Sequence, residues 1–353
     1  KRRQNLHRTV ATPASQTPPW TVLTVSKSGS YLSKSLLDTV STVRGSGWVQ
    51  RAAFWSLLDR PMPSIQARLI NVVLYALRMK RTVNRMRERV ENGDRTYTEP
   101  SRRLHRKHRI TKREINGHLV WTIAPKENGT GKHVIYLHGG AYVNSFASQH
   151  WTLMSKLVER LNCTVVAPNY PHAPEHCVTD VFQLLVPIYS ELAARVGGSN
   201  VTLMGDSSGG GISLALAQRI REDGYNQPGH VVLLSPWLDA TLSNPDIVKF
   251  DKVDPFLGVE GLKYGGEVYA RDVDPKSYLV SPVYGSLKNL APITLFIGTR
   301  DILYPDCRKL RDNAEAEGVA IAYREYEGMV HNWMLGPMPE AKRAIEEIIN
   351  AIK

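Results

Sequence analysis

From Ser64 onward, apolar residues recur at spacings of four and three: Ile65, Leu69, Val72, Ala76, Met79, Val83, Met86 and Val90. That period lines them up on one side of an α-helix. Ser64, just after Pro63, is a suitable N-cap, and Asn92-Gly93 closes the pattern, so one long amphipathic helix is expected. Its other faces carry Arg68, Arg78, Lys80, Arg81, Arg85, Arg87 and Arg89. Packing as part of a cap and contact with an anionic membrane interface both fit such a helix.

Beyond the loop of residues 94–101 the pattern changes to short apolar runs alternating with helical stretches. Strands are expected at 105–115, 118–124, 133–138, 163–168, 200–205, 230–235, 293–298 and 320–326. Helices are expected near 148–161, 178–195, 208–223, 304–317 and 339–352. Such alternation predicts an α/β fold, a mostly parallel sheet flanked by helices. Residues 243–286 interrupt it with Pro245, Pro255, Pro275 and Pro282 and read as an excursion over the active face. Residues 1–47, rich in Ser, Thr and Pro, read as a tail or loosely packed arm. The organisation expected is therefore an N-terminal arm with cap helices over 1–100 and a catalytic domain over 101–353, with a cap insertion at 243–286.

Charge is distributed unevenly. The net +12 comprises +17 from residues 1–114 (24 Lys/Arg against 7 Asp/Glu) and −5 from the remainder (21 against 26). A basic third of this kind suits a solvated helix face or an anionic membrane surface; no nucleic-acid-binding module accompanies it, and no nucleic-acid partner is expected. No run of about 18 apolar residues could span a bilayer, which points to a soluble or peripheral protein. The compartment stays open, cytoplasmic or peripheral to the endoplasmic reticulum, as does oligomeric state. The chain starts at Lys rather than Met, which leaves room for a leader or anchor ahead of it. Cys163, Cys177 and Cys307 form neither a disulfide framework nor a metal pattern and read as buried thiols; no metal is expected. The sequons at Asn128, Asn162 and Asn200 are of a kind that arises by chance in a long chain and carry no argument.

Chemistry concentrates in Val201-Thr-Leu-Met-Gly-Asp-Ser-Ser-Gly-Gly-Gly211, an apolar strand entering GxSxG and then a helix. In such an elbow Gly205 and Gly209 stand where side chains would strike the adjoining elements. Ser207 projects at a helix N-terminus, where N–H groups and the dipole favour developing negative charge. A serine hydroxyl needs a base to take its proton, and the base needs an orienting acid. Asp301 and His331 follow in that order, each just past a strand's C-terminal end. His331 is one of eleven histidines, and its place in the order singles it out. Asp306 is a rival acid, but a position inside a helix is less suited than the turn after a strand. The His138-Gly139-Gly140-Ala141 loop, ending another strand, offers amides for an oxyanion hole, with Gly139, Gly140 and Ser208 as the expected donors. His138 is expected to buttress that loop by hydrogen bonding. Tyr142, Trp237 and Met329 stand near these motifs as candidate walls of the substrate site.

With these motifs the chain resembles the hormone-sensitive lipase family of α/β-hydrolase-fold esterases over residues 130–345. His138-Gly139-Gly140 matches its HGG loop and Gly205-Asp206-Ser207-Ser208-Gly209 its GDSxG elbow. Ala173-Pro174-Glu175 after Tyr170, Ser235-Pro236-Trp237 with Asp239, Asp254-Pro255-Phe256-Leu257 and the segment Gly298 to Leu303 match further. The resemblance implies a lid built from N-terminal helices and an insertion, and ester hydrolysis without metal or organic cofactor on short or medium acyl chains. Two positions depart from the family pattern: Ser208 stands for alanine, and Ala141 for the third glycine of the loop. The long basic arm is similar to that of fungal members, some of which deacetylate sterols or secondary metabolites at the endoplasmic reticulum. The function expected is thus a serine carboxylesterase or acetyl-ester deacetylase acting on a small-molecule ester. The alternatives are an acyltransferase, lactonase or thioesterase on the same triad, or a ligand-binding receptor homologue, as in the plant gibberellin receptor, which lacks the catalytic histidine that His331 matches.

Overall fold

The computed structural model describes residues 62–353. The expected arm over residues 1–47 lies outside the described residues. In chain order the helices are α1 (Ile65–Ala76), α2 (Met79–Asn84), α3 (Met86–Glu91), α4 (Arg102–Lys107), α5 (Ser148–Leu161), α6 (Val178–Val196), α7 (Ser208–Glu222), α8 (Ile247–Asp251), α9 (Val259–Ala270), α10 (Tyr304–Ala316) and α11 (Pro339–Ile352). The strands are β1 (Arg109–Ile115), β2 (His118–Ala124), β3 (His133–Leu137), β4 (Thr164–Pro168), β5 (Val201–Asp206), β6 (His230–Leu234), β7 (Ile293–Gly298) and β8 (Ile321–Tyr326).

They form one eight-stranded sheet in the order β1-β2-β4-β3-β5-β6-β7-β8. The hairpin β1–β2 and the β2–β4 pair are antiparallel, and every later pair is parallel. The interior strands are continuous apolar runs because both faces are covered. Their alternate side chains feed two cores. Ile135, Leu137, Leu203, Val231, Leu233 and Leu295 face one, with α6, α7 and α10; Val134, Tyr136, Met204, Val232, Leu234 and Phe296 face the other, with α5 and α11. β1 is the exception, charged and largely exposed, as suits an edge strand that must not recruit another chain.

The long helix expected from Ser64 is broken into α1, α2 and α3. Arg78 takes a left-handed conformation (φ 53°) between the first two, and Arg85 leaves helical geometry between the next. The register also differs: Ile65, Leu69 and Val72 are 80%, 61% and 62% exposed, while Ala67 is buried and Ile70 packs on the second core. The reason is anchoring at the helix start. The Ser64 N–H and hydroxyl donate to Glu340 at 2.7 and 2.9 Å, and Asn71 reaches the Gly328 carbonyl, so the polar-flanked side is turned inward. Only Met86 and Val90 of the expected stripe are buried. The strand expected from His105 starts at Arg109, because Ser101 caps α4 instead.

Within 243–286 the chain forms α8 and α9, and α9 backs onto the N-terminal helices. At Gly261 a Cβ would overlap the Val83 carbonyl, and at Gly265 it would meet the Ala141 carbonyl at 2.8 Å. All three cysteines are free and buried. No helix among the described residues is long and apolar enough to cross a membrane.

Candidate active site

Ser207 sits between β5 and α7 with φ 53° and ψ −122°, a conformation rarely adopted outside glycine and held here by its neighbours. Its N–H donates to the Leu234 carbonyl at 2.9 Å. Its own carbonyl accepts from Gly211 at 3.1 Å and Trp237 at 2.9 Å. The turn is possible only because Gly205 and Gly209 lack side chains: a Cβ on Gly209 would overlap the Leu137 carbonyl, and one on Gly205 the Gly209 carbonyl.

Asp301 follows β7 and His331 follows β8. The His331 Nδ1–H donates to Asp301 Oδ2 at 2.9 Å, which leaves Nε2 as the basic nitrogen, and Asp301 Oδ1 accepts the Leu303 N–H at 3.0 Å. Asp306 bonds Asn244 instead, so it is Asp301 that meets the histidine. Burial pushes the His331 imidazole down, but the charge and hydrogen bond of Asp301, with Asp254 and Asp206 behind it, outweigh burial and raise its pKa above the ordinary value. Ser207 and His331 both line one cavity of about 510 Å³.

The loop after β3 faces the same cavity through Gly139, Gly140 and Ala141. Gly139 does not offer a free donor, because its N–H is given to Asp206 Oδ1 at 3.0 Å. The amides of Gly140 and Ala141 make no hydrogen bond within the described residues, and Ser208 opens α7, where the first N–H groups are unpaired. Of the expected donors Gly139 is therefore already engaged, while the neighbouring Ala141 amide is free. His138 stands behind the loop rather than in the cavity. Its ring stacks on Tyr170 (4.4 Å, 12°), its Nδ1 lies 2.9 Å from the Gly139 carbonyl, and Tyr170 Oη donates to its carbonyl at 2.8 Å. Burial, then His172 and His150, lower its pKa well below the usual value, so it is neutral.

The model of the α/β hydrolase fold family matches residues 134–335. The chain belongs to that family. Relatives of this α/β hydrolase include an esterase of Acinetobacter venetianus, 31% identical over 219 residues (61% of this chain, 72% of that one). An acetyl-hydrolase of Streptomyces hygroscopicus is 31% identical over 219 residues (61% and 73%). Among solved structures, a hormone-sensitive lipase from a metagenome library matches with a TM-score of 0.70 at 26% identity, covering 81% of this chain and 97% of the other. The resemblance carried by the HGG and GDSxG motifs holds, and the α/β hydrolase is a serine-type enzyme acting on carboxylic esters.

The residues around its cavity differ from those expected. Tyr142 and Trp237 are buried below the loop, Tyr142 stacked face to face on Tyr269 (3.7 Å, 3°) and tilted against Trp237 (4.9 Å). Positive φ at Ala141 and Tyr142 turns the tyrosine into the core. Met329 packs in the second core, where Gly298 leaves room for its backbone. None of the three lines the cavity. Its apolar walls come from Leu74, Met79, Val83 and Met86 of the N-terminal helices and from Phe256 and Leu257 of the insertion.

A second set of residues was not singled out by sequence reasoning. Asp206, fully buried, accepts from Tyr136 Oη at 2.5 Å, from Gly139 at 3.0 Å and from Asn332 Nδ2 at 2.7 Å, with His150 Nε2 at 3.4 Å. Burial would raise its carboxyl, but His150, Tyr136 and the Gly139 amide prevail and hold it down at about 2. It therefore joins the serine elbow, the glycine loop and the residue after His331. Its place between Gly205 and Ser207 in the elbow was the available signal.

Proposed function

We propose that the α/β hydrolase cleaves short-chain carboxylic esters through an acyl-enzyme on Ser207. His331 Nε2 takes the Ser207 proton as Oγ attacks the ester carbonyl, and the oxyanion is met by the amides of Gly140, Ala141 and Ser208. His331 then gives the proton to the leaving alkoxide. Water, deprotonated by the same nitrogen, attacks the acyl-enzyme, and the acid leaves as Ser207 recovers its proton. Asp301 holds the imidazole in the tautomer this needs. The observation that carries the reading is the Nδ1–Asp301 bond at 2.9 Å on a histidine that shares one cavity wall with an elbow serine.

That one of the relatives is an acetyl-hydrolase supports the short-acyl reading. Nitrophenyl esters from acetate to palmitate test this, with Ser207→Ala as control. Turnover should peak at acetate or butyrate, vanish in the variant, and be blocked in the wild type by a fluorophosphonate attached to Ser207. Unchanged turnover in Ser207→Ala would overturn the reading, and ligand binding with no covalent capture would favour the receptor-like alternative. Acyl transfer, lactone opening and thioester cleavage pass through the same tetrahedral intermediate, so product analysis with competing alcohols separates them.

For partners, we infer that α1 meets an anionic lipid surface. Ile65, Leu69, Val72 and Leu77 form an exposed apolar row, and Arg78, Arg81 and Arg85 gather beyond its end. The other side of the same helix, Ile70 and Leu74, lines the cavity. The full chain should sediment with phosphatidylserine vesicles at low salt and be released by salt or by Leu69→Ser/Val72→Ser. Failure to sediment at low salt would rule the contact out.

A further inference from the structure

Asp254 lies in the insertion, 1% exposed, and the mechanism above gives it no part. Its carboxylate makes three hydrogen bonds in two directions. Oδ1 accepts the N–H groups of Phe256 at 2.7 Å and Leu257 at 2.9 Å, both of which line the cavity. Oδ2 accepts the N–H of Ile302 at 2.8 Å, the residue directly after Asp301. The Phe256 ring, oriented by the first set, stacks on His331 with centroids 6.0 Å apart and planes 21° apart. The preceding carbonyl, Val253, is tied down too, by Tyr75 Oη of α1 at 3.0 Å and Arg300 Nη2 at 3.1 Å. One buried carboxylate therefore links the cavity wall to the turn that carries the acid.

We propose that Asp254 is a positioning residue that locks the cap insertion to the Asp301–His331 pair and supplies a second buried carboxylate facing the imidazole. The assignment rests on the Ser207 reading above. Its charge acts when His331 takes up a proton, since a carboxylate nearby favours the imidazolium. The titratable and charged groups around it are Asp301 and His331 from the strand ends and Arg300 at the Val253 carbonyl; Asp206 acts on the same imidazole, and the Cys307 thiol of α10 is next to Asp301 and Asp306. Burial, then Asp301, push the Asp254 carboxyl up to about 7, against the pull of the three amides.

The test is the pH profile of kcat/KM for nitrophenyl acetate in wild type, Asp254→Asn and Asp254→Ser; serine can still cap Phe256 and Leu257 but carries no charge and does not reach Ile302. Both variants should lose about tenfold in kcat/KM, as expected for a loosened reacting geometry. Their acid limb should move to lower pH by roughly half a unit or more, because a negative charge beside the imidazole is gone. An acid limb unmoved in a folded variant overturns the proposal. Failure of both variants to fold overturns it as well, since it would assign Asp254 to the fold alone. An inactive wild type, or one that a fluorophosphonate does not label at Ser207, would instead defeat the Ser207 reading.

Discussion

The carboxylate of Asp206 accepts the Gly139 N–H at 3.0 Å, so the residue before the elbow serine fixes the glycine loop opposite it. The amide it takes is one the loop would otherwise turn toward substrate, and the free donors shift one residue on, to Gly140 and Ala141. A side chain buried under the elbow thereby sets which N–H groups of the loop stay free for the proposed oxyanion hole.

Removing that carboxylate should be costly. Asp206→Ala leaves Tyr136 Oη, Asn332 Nδ2 and His150 without their acceptor in a dry site, and about 3–5 kcal/mol of stability should be lost in urea denaturation. The wild-type carboxyl is held at about 2, below the ordinary value of 3.8. A depressed acid contributes stability that is complete above about 4 and disappears as pH falls through about 2. The shift corresponds to about 2 kcal/mol. Asp206→Asn should therefore flatten the acid end of the stability profile between those values.

In the proposed mechanism the imidazole of His331 works deprotonated, and against the opposing effect of burial Asp301 raises its pKa above 6.5. Activity should consequently rise with pH through a value above 6.5. Asp301→Asn removes both the charge and the tautomer control, so the limb should move down while kcat falls by roughly 10³-fold or more. A pH series of kcat/KM on the two proteins checks both effects.

Ser207 stores backbone strain, on the order of 1–3 kcal/mol for such a conformation. Ser207→Gly relieves it and Ser207→Ala does not. The glycine variant should melt higher than the alanine variant even though glycine costs about 0.5–1 kcal/mol in unfolded-state entropy. Calorimetry on the two inactive proteins measures the difference.

Much of this was legible along the chain because the chemistry sits at element boundaries. Ser207, Asp301 and His331 each follow a strand whose apolar run marks its end, and the order serine, acid, histidine needs no knowledge of distance. Other features depend on contacts that periodicity does not encode. The bond from Gly139 to Asp206 spans 67 positions, and the amide's loss follows only once β3 and β5 lie side by side. Tyr142 faces the core through two successive positive φ values that nothing in Ala141-Tyr142 announces. The break at Arg78 carries neither glycine nor proline, and α1 is rotated by anchors from the far end of the chain, Ser64 on Glu340 and Asn71 on the Gly328 carbonyl.

The cavity walls yield a last prediction. Met86 is buried where α3 meets α9, and its Sδ would lie 3.5 Å from a Cβ placed on Gly265. Gly265→Ala would also bring that Cβ to 2.8 Å from the carbonyl of Ala141, one of the three proposed oxyanion donors. The substitution must push α9 away from the loop or displace the backbone of Ala141, and the second response misaims the Ala141 N–H, a donor of a kind worth about 3–4 kcal/mol to the transition state. Gly265→Ala should accordingly lower kcat by roughly 10²-fold with little change in KM, whereas Met86→Ala, which only enlarges the cavity, should raise KM for acetate and improve longer acyl esters relative to it. Steady-state kinetics of the two variants across the ester series distinguishes a displaced donor from a widened wall.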